Sequence, residues 1–148
     1  MERLSEKAIR ILHLADLHFG TETHGTIDPE TLLNSRLLDF SRTLEKVINR
    51  ALEMETDAVI FTGDAYRTNR PTPTQERELA RHVERLNREG IPLLMLVGNH
   101  DLPPGRGHAS SIDVFRTLKL PYVHVVNEPE TLQLETRRGP LQVVCLPY

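Results

Sequence analysis

Asp16, His18, Asp64, Asn99, His100 and Asp101 are the side chains of this sequence whose types and spacing could do chemistry. Asp16 and His18 form an Asp-x-His pair, Asp64 follows Gly63, and the last three sit in Gly98-Asn99-His100-Asp101. Asp16, His18, Asp64 and Asn99 make a mixed nitrogen and oxygen donor set. Such a set suits divalent Mn, Fe or Zn rather than the metals that prefer soft thiolates. His100 and Asp101 add a proton-competent imidazole and a carboxylate beside it. Asp-x-His alone, or Gly-Asp alone, is ordinary turn chemistry. The ordered set of three is far less common.

Each motif follows an apolar run. Leu93 to Val97 is uninterrupted and reads as a strand buried on both faces, as in a parallel sheet covered by helices. Gly98 then allows a sharp turn. The runs at 8–15 and 57–62 feed Asp16 and Asp64 in the same way. Three strands would therefore deliver ligands at their carboxyl ends, where open α/β sheets place their sites. Between the first two, Asp28-Pro29 predicts a helix start, with Leu33, Leu37, Phe40, Leu44, Val47, Ile48 and Ala51 as its apolar stripe. Thr74 is expected to cap the next helix without a capping box, since Arg77 stands at the third position. Leu79, Val83 and Leu86 form its stripe, and Gly90 and Pro92 end it. Its four arginines, 77, 81, 85 and 88, read as a solvated charged face with interleaved glutamates. A short helix over 112–118 and three strands, 122–126, 131–135 and 141–146, complete the pattern. Residues 1–7 read as a loose lead-in.

A chain of 148 residues holds one domain with a real core. Its net charge of −3 argues against gripping nucleic acid by bulk electrostatics, though not against holding phosphates through bound metal. No apolar run approaches a membrane span. The charged amino-terminal residues lack a signal-peptide core, and the lone Cys145 is expected to pack as a small hydrophobe. A reducing cytoplasm is the expected location.

The three motifs, with the helical segment between the first two, resemble the calcineurin-like metallophosphoesterases and, within them, SbcD-type DNA repair exonuclease subunits. The resemblance implies an α/β fold, a sheet sandwich flanked by helices (α/β/β/α), of which this chain carries the first half and the start of the second sheet. It implies two divalent ions, Mn²⁺ foremost: Asp16 and His18 would hold the first, Asp64 would bridge, and Asn99 would hold the second. It further implies hydrolysis of DNA phosphodiesters by a metal-activated water, with 3′-to-5′ exonuclease and structure-specific endonuclease activity. His100 would protonate the leaving 3′ oxygen, and Asp101 would orient and charge its imidazole. Arg67 stands where many nucleases of the family carry a histidine, and its guanidinium is a candidate contact for substrate phosphate.

An SbcC-like coiled-coil ATPase and a homodimer are the implied partners besides DNA, with Leu79, Val83, Ile112 and Phe115 as candidate dimer contacts. The family's later histidine motifs have no counterpart here, because Gly107-His108 is followed by Ala109 and Ser110. The chain is therefore expected to be the amino-terminal part of a nuclease domain, with an incomplete ligand set. Two other readings stay open: a phosphodiesterase or phosphatase for small substrates, and a non-catalytic dimerisation or binding module.

Overall fold

Four short apolar runs, β1 (Ile11–Leu14), β2 (Ala58–Phe61), β3 (Leu93–Leu96) and β4 (Val123–Val126), lie side by side in chain order and all run parallel. The computed structural model describes residues 8–103, 105 and 107–148. The expected lead-in at 1–7 and two residues of the loop after Asp101, Pro104 and Arg106, lie outside them. Helices α1 (Ser35–Glu53), α2 (Pro73–Arg88) and α3 (Asp113–Thr117) occupy the crossovers, as parallel pairing requires. An antiparallel hairpin, β5 (Glu130–Thr136) and β6 (Gly139–Cys145), follows β4.

Alternation along the strands sorts the core into two faces. Val59, Phe61, Leu93, Met95, Val123 and Val125 pack with Leu37, Leu44 and Ile48 of α1, Leu79, Val83 and Leu86 of α2, and Phe115 of α3. The opposite face, Ala58, Leu94 and Val126, packs against Leu134 and Cys145 of the hairpin. Helices, parallel sheet and hairpin are thus stacked layers, and Cys145 is buried as a small apolar group. β1 is one edge of the sheet, with Ile11 and His13 exposed. Leu79, Val83, Ile112 and Phe115 are all buried within the helical side of the core. They cannot serve as the dimer contacts expected of them.

Two helix starts differ from expectation. Asp28 caps a turn of its own: its Oδ1 accepts from the amides of Glu30 and Thr31 and from the Thr31 hydroxyl. Leu32 then adopts a left-handed φ of +58°, which no helix tolerates, and α1 begins only after Asn34, whose side chain accepts from Arg36 N. Leu33 belongs to the turn. In α2 the cap is Thr72, not Thr74. Pro73 takes the first helical position, and Gln75 closes a capping box with Thr72. The expected charged face is ion-paired: Arg77 and Arg81 flank Glu78, Arg85 meets Glu45, and Arg88 meets Glu84.

The end of the sheet remote from the three motifs is tied by charge. The Asp57 carboxylate, fully buried, accepts from the Arg10 amide at 2.8 Å and from the Arg138 guanidinium at 2.9 Å. Arg138 also reaches Glu55 at 3.0 Å, which fixes the hairpin turn to the residues just before β2. No helix among the described residues is long and apolar enough to cross a membrane.

Candidate metal centre

The loops after β1, β2 and β3 meet at the carboxyl ends of their strands, and main-chain hydrogen bonds splice them together. Asp16 N donates to Gly63 O at 3.2 Å, His18 N to Asp64 O at 3.0 Å, and Phe19 N to Ala65 O at 2.8 Å. The first loop therefore runs beside the second as an irregular extension of the β1–β2 pairing. Within it Asp16, His18 and Asp64 take left-handed φ values of 53°, 45° and 59°. Each such non-glycine residue costs about 1–3 kcal/mol, a strain typical of functional loops that the surrounding bonds must hold.

Several of the expected donors lie close together. His18 Nε2 lies 3.8 Å from Asp16 Oδ1 and 4.0 Å from Asp64 Oδ2. His18, Asp64 and His100 can each offer one ligand atom within 4.8 Å of the others. The His18 and His100 rings meet edge to face, with centroids 4.8 Å apart. Asp16, Asp64 and Asn99 share the wall of one open cleft of about 420 Å³, which Thr62, Leu96, Leu146, Pro147 and Tyr148 complete. Imidazole and carboxylate oxygens gathered this closely fit a divalent ion of the Mn, Fe or Zn kind. Asp64 is the buried member and Asp16 and Asn99 the exposed ones.

Asp64 spends one oxygen on the fold. Its Oδ1 accepts the His100 amide at 2.9 Å, which leaves Oδ2 on the His18 side. This embrace explains Gly98: a Cβ there would lie 2.3 Å from Asp64 Oδ1 and 2.5 Å from Asp64 N.

The structure corrects the reading of Asp101. The expectation was that its carboxylate orients the His100 imidazole. Instead Asp101 is fully buried, and its oxygens accept from the amides of Gly98, Asp64 and Ala65 and from the Ser111 hydroxyl. The imidazole partner is the main-chain carbonyl of Arg67, 2.9 Å from His100 Nδ1. The Arg67 guanidinium itself is exposed and donates to Thr23 Oγ1 at 3.2 Å. Ser111, Thr23 and the Arg67 carbonyl were not legible beforehand, since hydroxyls in loops and main-chain acceptors leave no pattern in a sequence. The remaining histidines lie elsewhere. His13 bonds Thr62 Oγ1 on the sheet edge, His82 bonds Ser41 Oγ between α1 and α2, His124 faces the hairpin side of β4, and His24 and His108 are exposed in loops.

The sequence profile of the calcineurin-like phosphoesterases matches residues 9–145. The DNA double-strand break repair protein Mre11 of Methanosarcina acetivorans is 32% identical over 116 residues, which is 78% of this chain and 17% of that protein. The protein of the same name from Haloferax volcanii is 33% identical over 111 residues, 75% of this chain and 23% of the relative. That of Aeropyrum pernix is 28% identical over 145 residues, 94% of this chain and 32% of the relative. The chain spans about a third or less of the length of these relatives. The profile match runs through all three motifs and both core faces, and the chain belongs to the calcineurin-like phosphoesterase family.

Proposed function

We propose that this chain is the amino-terminal part of the catalytic domain of a metal-dependent DNA nuclease, an SbcD-type enzyme acting in double-strand break repair. One observation carries the reading: Asp16, Asp64 and Asn99, from the ends of three parallel strands, line one cleft, and Asp64 also groups with His18 and His100. The names of the relatives, all DNA double-strand break repair proteins, support DNA as the substrate. Two divalent ions, Mn²⁺ foremost, would be held by Asp16 and His18 and by Asn99, with Asp64 serving both. Bound there, the ions supply Lewis-acid polarisation of the phosphate and lower the pKa of water.

The chain's own groups do the rest. Asp64 Oδ1 keeps the His100 main chain in place, and the Arg67 carbonyl holds a proton on Nδ1. His100 Nε2 is thereby left as the ring atom that serves the reaction. As water adds to phosphorus and the bond to the 3′ oxygen breaks, the imidazolium passes its Nε2 proton to that oxygen and becomes neutral. The exposed Arg67 guanidinium binds a neighbouring phosphate. Release proceeds in the 3′-to-5′ direction and yields nucleoside 5′-monophosphates. A coiled-coil ATPase partner, a homodimer and a cytoplasmic location complete the proposal.

The test is Mn²⁺-dependent nucleotide release from a 3′-labelled duplex. The full-length protein is used. The expected result is release that falls at least 100-fold in His100→Ala. Undiminished release in that variant would overturn the assignment. Turnover of phosphomonoesters or cyclic nucleotides in preference to DNA would transfer the site to the small-substrate class.

A further inference from the structure

Of the buried carboxylates, Asp57 and Glu78 are answered by arginines, from Arg138 and from Arg77 and Arg81. Asp101 is held differently. Its Oδ2 accepts from Asp64 N at 2.8 Å and Gly98 N at 3.1 Å, and its Oδ1 from Ala65 N at 3.1 Å and Ser111 Oγ at 3.0 Å. The Asp101 main chain joins in, donating to Gly98 O and accepting from Ser111 N. These donors come from three separate stretches: the turn after β2, the turn after β3, and the approach to α3. A buried carboxylate accepting several amides is a strong, directional clamp, and an apolar side chain of the same volume would leave those amides without partners.

The clamp grips the backbone at the site's most constrained point. Asp64 has a φ of 59°, and its amide makes the shortest bond to the Asp101 carboxylate. That backbone conformation decides where the Asp64 side chain goes: Oδ1 to the His100 amide and Oδ2 to the His18 side. Gly63 and Gly98 are in such close approach that a Cβ on Gly63 would lie 2.7 Å from Gly98 Cα. Only a rigid tie between the two turns keeps that contact in register.

We propose that Asp101 is a positioning residue for metal: by clamping the amides of Asp64, Ala65 and Gly98 it locks the backbone that aims Asp64 Oδ2 at the ion shared with His18. The proposal rests on the metal-centre reading above and concerns binding rather than turnover. Residues that orient a metal ligand characteristically affect metal affinity about 10- to 100-fold. Asparagine is the informative conservative replacement. Its amide oxygen at the Oδ2 position can keep the Asp64 and Gly98 amides and the longer 3.3 Å bond from Ala65 N, while its nitrogen donates to the Ser111 hydroxyl and gives up the Ala65 bond to Oδ1.

The experiment is a Mn²⁺ titration followed by electron paramagnetic resonance, well below the unfolding temperature of each variant. Asp101→Ala is expected to bind Mn²⁺ about 10- to 100-fold more weakly than the unaltered chain, and Asp101→Asn to recover to within about fivefold. Leu134→Ala, which loosens the opposite core face, is the control for simple destabilisation and should stay within about twofold. A folded Asp101→Ala that binds Mn²⁺ as well as the unaltered chain overturns the proposal, as does an equal loss in Leu134→Ala. Should Asp101→Ala not fold, Asp101→Asn combined with Ser111→Ala carries the test. That pair should bind at least about fivefold more weakly than Asp101→Asn alone, and equal affinity would overturn the proposal. If the unaltered chain takes up no Mn²⁺, the metal-centre reading itself fails and the proposal falls with it. Uptake that ignores Asp101 sinks the positioning role alone.

Discussion

The Nδ1 atom of His100 sits 2.9 Å from the main-chain carbonyl of Arg67. A carbonyl can only accept, so this bond requires the proton on Nδ1 and leaves Nε2 as the functional nitrogen. The two residues lie 33 positions apart and on different loops, so the bond couples the turn after β2 to the His100 imidazole.

A tautomer follows from that bond. At pH 8.5, ¹⁵N–¹H correlation spectra of the His100 ring are expected to show the Nδ1–H form dominating, against the Nε2–H preference of free imidazole side chains. Replacing Arg67 by alanine keeps the carbonyl and should leave the tautomer unchanged, while weakening DNA binding by about 0.5–3 kcal/mol if the guanidinium holds phosphate. A dominant Nε2–H form would contradict the geometry.

Gly98→Ala places a methyl group 2.3 Å from Asp64 Oδ1. The side chain or the turn must shift, at a cost of about 1–3 kcal/mol. Urea denaturation should register that loss, and Mn²⁺ affinity should fall with it. Unchanged affinity would mean that Asp64 is not a ligand.

Gln75 is expected to matter more than a helix cap alone. Besides closing the capping box with Thr72, its side-chain nitrogen donates to Gly20 O at 3.1 Å and to Glu22 at 2.8 Å. It joins the start of α2 to the loop that carries Asp16 and His18. Gln75→Ala should cost about 1–2 kcal/mol. Hydrogen exchange should quicken in residues 20–22 as well as in the first turn of α2, and an effect confined to the helix would contradict the link.

His82 gives a pH dependence with a definite sign. Burial pushes its pKa down, an effect that Glu45 of α1 and Glu78 of α2 partly oppose and that Arg81 and Arg85 reinforce. The ring also bonds Ser41 Oγ at 2.8 Å and lies against Phe19. His124 is likewise lowered by burial. A lowered histidine pKa means that the unfolded chain binds more protons, so stability is full above the ordinary value of about 6.5 and falls as pH drops through it. The urea midpoint should therefore decrease from pH 7.5 to 5.5, and His82→Gln should flatten that decrease. A variant with the same slope would count against the burial argument.

The parts of the fold legible in the sequence were those written in side-chain pattern. The β3 run from Leu93 to Leu96 is apolar on both faces because it is covered on both, and the three motifs stand at strand ends because parallel strands end at the site. Helix starts were less legible. Leu33 continues the apolar spacing of α1, yet the left-handed Leu32 and the Asn34 cap exclude it, and only the folded backbone discloses that. Thr72 and Thr74 flank Pro73 alike, and the choice between them depends on Gln75 reaching back to the first. Asp101 was misread for a related reason. Adjacency to His100 suggested a side-chain partner, whereas the turn directs its carboxylate inward to amides that a sequence cannot display.

In the proposed site, Asp64 is the shared metal ligand and His100 the proton-handling group beside it. Calorimetric titration of Mn²⁺ into the unaltered chain, Asp64→Ala and His100→Ala tests these roles most directly. Binding should be abolished in Asp64→Ala and remain within about threefold in His100→Ala, since the other donors survive. Equal loss in both variants would contradict the account and make His100 a ligand on the same footing as His18.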